Sequence, residues 1–423
     1  MQRRQFIKAL GGITAVVAAD WVQSIKQAFG GSRKPNIILR SGWQNINIGD
    51  IAHSPGLLML LRQHIPEASI YFWPVSLDDN VERMINRNFP QVTILKSSVD
   101  SNGLPKEESV KATFLKANLL IHGSGAGVYI HDTLWACHEN KIPYGIFGVT
   151  VSSINENLRK ILSNAVFIFC RETKSIQNLK DAGISGPIVG FGPDGTFALN
   201  ITDEARAEEY LQAKGLHKKK FICVVPRLRY TPYHRLRKVN WSEEKVKEVE
   251  STNAATREKD HAKLRQAIIT WVRETGNKVL VCPEMTYQID IIEPLVYGPL
   301  PDDVKKSVVP KLDFWLPDEA SSIYKRAFMV VSIECHSPIL SATQGTPFFY
   351  VRQPEDTIKG QMYYDLGFGD WVYEIDEVSG KVISNGVMKI HADYKAALQL
   401  VQTGLNEAHA KQAEGMQKAK EIL

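Results

Sequence analysis

The stretch FMVVSIECHSPILSATQGTPFFYV, residues 328–351, decides the fold class of this chain. The apolar run 328–333 predicts a strand, the small residues up to Gly345 predict a helix, and residues 347–351 predict a second strand. A strand, a helix and a strand in this order form a βαβ unit of a parallel sheet. Ligands of such sheets bind beyond the carboxyl ends of the strands, and His336 stands at that end.

His336 also opens the predicted helix, where free backbone N–H groups favour an anion. An imidazole can carry a proton near neutral pH. The position therefore predicts a proton carrier beside an anion site. A histidine that merely caps the helix is the alternative, and position alone leaves both interpretations open.

Length and composition predict a globular protein of two domains. A chain of 423 residues exceeds one compact core of typical size. Hydrophobic residues make up 44% and charged residues 23%, which is ordinary for such proteins. The formal charge of +5 is small, and no basic stripe with interleaved aromatics occurs, so nucleic acid is not an expected partner.

The first residues resemble a twin-arginine export signal. Arg3 and Arg4 precede an apolar pair and a lysine, and a weakly apolar run, too short to span a bilayer, follows at 9–19. We expect residues 1–19 to be a signal peptide, and the mature protein to lie in the periplasm or cell envelope without a stable membrane span. An amphipathic first helix of a cytoplasmic protein is the alternative.

The five cysteines are scattered and form no CxxC or Cys/His spacing. This pattern predicts neither a disulfide framework nor a zinc site, so no metal is expected. Cys335 is the candidate for a free thiol beside His336.

Strands and helices alternate in two series, which predicts two Rossmann-like domains with doubly wound parallel sheets, at 34–200 and 201–423. A cleft between such domains is a common place for a ligand. The polar segment 230–252 predicts an irregular loop that could act as a lid, and residues 393–423 predict terminal helices.

A glycine-rich turn at 123–127 follows a predicted strand and permits close backbone approach to a ligand. It lacks the full dinucleotide fingerprint and its acidic partner, so NAD is not expected. Asp50 and Asp194 could cap helices or touch a ligand.

Seven short motifs give the chain a resemblance to the polysaccharide pyruvyl transferase family over most of residues 36–370. In chain order they are Asn47-Ile48-Gly49-Asp50, the turn 123–127, Cys170-Arg171-Glu172-Thr173-Lys174-Ser175, Pro193-Asp194-Gly195-Thr196-Phe197, Trp315-Leu316-Pro317, His336-Ser337 and Gly345-Thr346-Pro347.

The resemblance implies a fold similar to two-domain glycosyltransferases of the GT-B kind, with the acceptor on the first domain and the donor on the second. It implies transfer of pyruvate from phosphoenolpyruvate, a co-substrate, onto two hydroxyls of a sugar in a cell-surface polysaccharide. The product is a cyclic ketal, and no metal or redox cofactor is required.

The resemblance also implies roles for individual residues. His336 would be the general acid or a phosphate contact, and Glu334 stands where the family usually has an arginine. The expected donor and anion-binding residues are Arg227, Arg229, Ser337 and Lys359, and the expected acceptor residues are Asn47, Gly49, Asp50, Gly123, Ser124 and Gly125.

Two alternatives remain open at this point. The same scaffold could serve another carbohydrate-active enzyme, with Glu334 and His336 as an acid/base pair, or an exported glycan-binding protein without catalysis.

Overall fold

The computed structural model describes residues 34–40, 44–237 and 239–423, so the predicted signal at 1–19 lies outside the described residues. Within them the chain forms two sheets, of seven strands in the order β3-β2-β1-β4-β5-β6-β7 and of six in the order β10-β9-β8-β11-β12-β13. All neighbouring strands pair in parallel. This confirms the predicted α/β class with two Rossmann-like halves.

The first half holds seven strands: β1 Asn36–Arg40, β2 Ser69–Phe72, β3 Thr93–Ile94, β4 Leu119–His122, β5 Tyr144–Val149, β6 Phe167–Cys170 and β7 Ile188–Phe191. Its helices are α1 Ile48–His64, α2 Asp79–Asn88, α3 Glu108–Phe114, α4 His131–Glu139, α5 Glu156–Ser163 and α6 Thr173–Asp181.

The second half holds six strands: β8 Phe221–Val225, β9 Lys278–Val281, β10 Val308–Pro310, β11 Val330–Ser332, β12 Phe348–Arg352 and β13 Val372–Glu374. The remaining helices are α7 Glu204–Lys214, α8 Tyr233–Leu236, α9 Glu243–Thr275, α10 Gln288–Ile291, α11 Asp302–Lys305, α12 Pro317–Arg326, α13 His336–Thr343, α14 Gln361–Asp365, α15 Gly380–Ala392 and α16 Tyr394–Ile422.

The central strands are apolar along their whole length because helices cover both faces of each sheet. Every residue of β5 and β8 is buried, which is the pattern of parallel rather than antiparallel strands. The βαβ unit forms as predicted, and Val330 of β11 lies opposite Phe348 of β12.

The strand order reverses between β1 and β4 in the first sheet and between β8 and β11 in the second. A crevice opens at such a reversal and binds ligands in proteins of this class. The carboxyl ends of β8 and β11 lead to Arg227 and to Glu334 and His336, so the second crevice holds the residues expected there.

The two halves meet at the start of α1. The backbone N–H of Ile48 donates to the carbonyl of Glu284, and that of Thr286 donates to Ile46, both at 3.0 Å. The last helix, α16, returns to the first half, where the Gln412 amide donates to the Asp194 carbonyl at 2.8 Å. The predicted domain boundary near residue 200 stays a prediction.

The predicted loop at 230–252 is partly wrong, because α9 begins at Glu243, where Ser242 caps it by accepting from the Lys245 N–H. Serine followed by two glutamates is a helix-start signal that the polar composition masked. None of the helices in the described ranges is long and apolar enough to cross a membrane.

Candidate active site

His336 is the first residue of α13, directly beyond β11, and its Nδ1 lies 3.4 Å from Oε1 of Glu284. The other carboxylate oxygen of Glu284 accepts from the backbone N–H of Ser337 at 2.6 Å and from its hydroxyl at 2.7 Å. A carboxylate of the protein thus occupies the helix N-terminus. Ser337 is therefore engaged by Glu284, and its role as an anion-binding residue stays a prediction.

His53 brings a second imidazole to His336. The two Nε2 atoms lie 2.9 Å apart, and the rings meet edge to face. Sequence analysis missed His53, although it follows Gly49 by four residues on α1 and so shares its helix face. A Cβ on Gly49 would stand 2.4 Å from the His336 ring, so this glycine lets the ring lie against α1.

Asp194 and Arg171 form a buried ion pair behind His53. Oδ2 of Asp194 lies 3.3 Å from His53 Nε2 and 2.6 Å from Nη1 of Arg171. Burial alone would raise the pKa of Asp194, but His53 and Arg171 hold it well below its usual value. Arg171 also donates to Thr150 at 2.7 Å and lies 3.7 Å from Glu172, so it braces the interior.

His53, Asp194 and His336 place three ligand atoms within 4.8 Å of one another, a spacing that could hold a metal ion. However, Oδ2 of Asp194 already bonds Arg171. A metal on the same oxygen would lie beside a full positive charge. This competition favours a hydrogen-bonded network over a metal centre.

The cations expected to bind the donor are paired with carboxylates. Arg227 lies 2.6 Å from Asp356 and 3.4 Å from Glu334, and Lys359 lies 3.1 Å from Asp356. Gln288 donates to Glu334 at 2.7 Å. Glu334 therefore completes a neutralising network with Arg227, and the contacts described for it do not include His336.

Arg229 is likewise occupied, because it lies 2.8 Å from Asp260 and 2.7 Å from Asp376. Two carboxylates already satisfy its guanidinium, and the anion-binding role of Arg229 stays a prediction. Burial raises the pKa of Glu334 to about 7, although Arg227 opposes that shift.

A cavity of about 390 Å³ lies between the halves. Gln44 bridges its two sides by donating to Asp50 and to the hydroxyl of Tyr233. The Arg237 guanidinium stacks 4.3 Å from the centre of the Tyr233 ring. The lining consists of Gln44, Asp50, His53, Val75, Gly125, Ala126, Tyr129, Ile130, Tyr233 and Arg237.

Of the predicted acceptor residues, Asp50 and Gly125 line this cavity. Asn47 caps α1 by accepting from the Gly49 N–H at 2.7 Å, and Ser124 accepts from the Gly195 N–H at 2.8 Å. Gly123 extends the β1 pairing by donating to the Arg40 carbonyl. These three residues therefore stabilise the backbone around the crevice. Arg237 is a cation of the lining that sequence analysis did not predict.

The model of the polysaccharide pyruvyl transferase family matches residues 47–353. The chain belongs to this family. A comparison with curated proteins finds no match. The matched range contains both histidines, their carboxylate partners and all cavity residues except Gln44.

Solved structures resemble this family member in fold. They include S. aureus MnaA with UDP (TM-score 0.55, 10% identity, covering 89% of this chain and 94% of that one). A glycosyltransferase from Rickettsia africae gives a TM-score of 0.56 at 8% identity, covering 92% and 98%. Anabaena Alr3699/HepE with UDP-glucose gives 0.55 at 10%, covering 91% and 98%. At these identities the likeness establishes the GT-B-like fold, and family membership makes the chain a transferase.

His122 of this pyruvyl transferase family member supplies a stability prediction. Burial lowers its pKa to about 4, so between pH 6.5 and 4 the unfolded chain binds a proton that the folded protein does not. The contribution of His122 to the free energy of unfolding should therefore fall by about 2 kcal/mol from pH 7.5 to pH 5. We expect His122→Asn, which keeps an acceptor for the Tyr129 N–H, to lose this slope.

Urea unfolding at both pH values measures the effect. His138→Asn, at an exposed position on α4, is the matched control and should behave like the wild type. An unchanged pH slope in His122→Asn would contradict the assignment.

Proposed function

We propose that this chain transfers pyruvate from phosphoenolpyruvate onto two hydroxyls of a sugar, giving a cyclic ketal and phosphate. The interdomain cavity carries this proposal, because it combines aromatic faces, a carboxylate, an amide and an imidazole. Sugar rings pack on aromatic side chains such as Tyr129 and Tyr233, while hydroxyls bond to carboxylates and amides such as Asp50 and Gln44.

Arg237 is the cation of the cavity lining. Among the described residues no carboxylate forms an ion pair with it, unlike Arg227, Arg229 and Lys359. A planar guanidinium binds carboxylate or phosphate with two hydrogen bonds. Arg237 is therefore the residue that we assign to the anionic donor.

The reaction needs one proton transfer to carbon and two attacks by sugar oxygen. A protein acid protonates the methylene of phosphoenolpyruvate, and the π electrons form the new C–H bond. The first hydroxyl bonds to the resulting cationic carbon, phosphate then leaves with its electron pair, and the second hydroxyl replaces it. The two hydroxyl protons end on the regenerated acid and on phosphate.

We further propose that the acceptor is a cell-envelope glycan and that residues 1–19 direct export. The sequence signal supports this location. A fusion of that segment to a reporter should reach the periplasm in a twin-arginine-dependent manner, and a reporter that stays in the cytoplasm would contradict it.

A second candidate function, glycan binding without transfer, is favoured by one observation. Arg227, Arg229 and Lys359 are each neutralised by a carboxylate, which weakens the second half as a polyanion site. Incubation with phosphoenolpyruvate and a panel of pyranosides decides between the two. Phosphate release with a ketal detected by mass spectrometry supports transfer, whereas saturable sugar binding without either product supports the binding protein.

Asp50→Asn should raise the KM for the acceptor sugar by about ten- to a hundred-fold, because a charged hydrogen bond to a hydroxyl contributes roughly 1.5–3 kcal/mol. Steady-state kinetics with varied acceptor measures this, with the KM for phosphoenolpyruvate as the internal reference. Asp302→Asn, whose side chain is 97% exposed, is the control. Equal changes in both KM values would place Asp50 away from the acceptor.

A further inference from the structure

The imidazole that faces the cavity is that of His53. His53 belongs to the lining, whereas His336 does not. His336 contacts His53 with the two Nε2 atoms 2.9 Å apart, and its side chain is 9% exposed, compared with 3% for His53. A second histidine therefore lies at the cavity, beside the residue that the family motif marks.

We propose that His53 is the catalytic residue that delivers the proton to the ligand, and that His336 is a positioning residue that fixes the tautomer of His53. This inference rests on the proposed function, which it deepens by naming the proton donor.

The carboxylates on both sides set the direction of the hydrogen bonds. Burial alone would raise the pKa of Glu284, but its hydrogen bond to His336 keeps the pKa below its usual value, so Glu284 accepts. The proton of neutral His336 then lies on Nδ1, which faces Glu284 at 3.4 Å. Its Nε2 therefore presents a lone pair to His53, whose Nε2–H donates to it.

Asp194 favours the same tautomer of His53 by approaching the same Nε2–H, and its Oδ2 also lies 4.0 Å from Nε2 of His336. Its Oδ2 lies 3.3 Å from Nε2 of His53, and it accepts from Arg171 at the same time. A metal-binding histidine is oriented by such carboxylate contacts, and a proton-carrying one is oriented by the same rule. Because Nε2 of His53 is hydrogen-bonded within the protein, Nδ1 is the nitrogen that exchanges a proton with the ligand.

Charged groups of both signs surround the pair. The carboxylates of Glu284 and Asp194 contact it directly, while Arg171 offsets one of them. From the cavity, Asp50 adds a carboxylate, and Arg237, Tyr129 and Tyr233 complete the facing titratable groups.

The step balances in protons and electrons. Imidazolium His53 releases the Nδ1 proton to the methylene of the donor, whose π electrons form the C–H bond. The N–H pair stays on Nδ1, and His53 becomes the neutral Nε2–H tautomer. A proton from the attacking sugar hydroxyl later returns to Nδ1.

Kinetics of His53→Gln and His336→Gln across pH test the roles. We expect His53→Gln to lower kcat at least 100-fold. It should also abolish the fall in rate at high pH, where a general acid loses its proton. His336→Gln should lower kcat about ten-fold and keep the fall in rate at high pH, with its midpoint at a different pH. The reverse pattern would overturn the inference. His64→Gln, on the last turn of the same helix, is the control.

A second measurement does not depend on activity. Nitrogen NMR of protein labelled with ¹⁵N-histidine reports the tautomer of each ring, and the two glutamine variants assign the signals. Neutral His336 should carry its proton on Nδ1 and neutral His53 on Nε2, and inorganic phosphate should shift the His53 signal more than that of His336. If both Nε2 atoms are unprotonated and one equivalent of metal is bound, the proposed roles of His53 and His336 are overturned.

The two measurements separate the failures. The expected tautomers without any ketal product would remove the proposed transfer and leave the His336–His53 arrangement supported. Ketal formation with the opposite tautomers would retain the transfer and remove the assignment of His53. Circular-dichroism melting of each variant excludes unfolding as the cause.

Discussion

Replacing Arg171 with leucine should lower the free energy of unfolding by about 3–5 kcal/mol, because a buried carboxylate is left without its cation. Arg171 and Asp194 are fully buried and lie 2.6 Å apart, so water cannot substitute for the lost partner. Asp194 also holds His53, so the loss should reach the candidate active site. Urea unfolding at pH 7 measures the effect.

The pH dependence of this loss has a definite sign. In the wild type Asp194 has a lowered pKa, so its stabilisation is present above the unfolded value and disappears as pH falls through the folded one. Without Arg171 the pKa of Asp194 should rise, and protonation would relieve the penalty. The difference between variant and wild type should therefore shrink as pH falls from 7 towards 4.

Two variants make the Arg171 prediction specific. Arg159→Leu removes an arginine that is exposed on α5 and should change stability by less than about 1 kcal/mol. Arg171→Leu combined with Asp194→Asn should recover part of the loss, since position 194 then carries no unpaired charge. A double variant as unstable as Arg171→Leu would point to lost packing instead of charge.

Gly49→Ala should reduce the rate of the proposed transfer by about ten-fold, the loss expected for His336→Gln, because it displaces the ring that positions His53. The added Cβ would stand 2.4 Å from the His336 ring, which Glu284 and His53 hold from two sides. Helix propensity favours alanine over glycine, so the local helix should not be the cause of the loss. Single-turnover kinetics measures the chemical step.

Gly127→Ala is the matched control, because its Cβ would meet only Tyr129 at ordinary van der Waals distance. It should leave the rate within a few-fold of the wild type. Equal losses in both variants would indicate a general sensitivity of the cleft, and an unchanged rate in Gly49→Ala would show that His336 can move without consequence.

The neutralised cluster around Glu334 gives the chain a feature that the family motif does not predict. The carboxylate stands where the resemblance implies an arginine, and it is held by Arg227 and Gln288. A buried carboxylate without partners would destabilise the fold, so Glu334 depends on Arg227 and Gln288 for its place in the interior. This explains why Arg227 is engaged instead of free for a donor.

Local patterns in the sequence were enough for the secondary structure and the sheet class. The run 328–351 alternates between strand and helix because burial on both faces makes each strand continuously apolar, and this signal needs no partner elsewhere in the chain. The same pattern located His336 at the carboxyl end of β11. The start of α9 was missed because a polar composition conceals a helix whose packing is long-range.

Only the tertiary structure decided which side chains meet at the candidate active site. His53 and His336 are 283 positions apart, and their contact depends on how α1 packs against α13. The pairing of Arg227 with Asp356, 129 positions away, likewise follows from the second sheet. Hydrophobic periodicity is a local property of the chain, whereas charge compensation depends on distances between distant segments, and folding alone sets those distances.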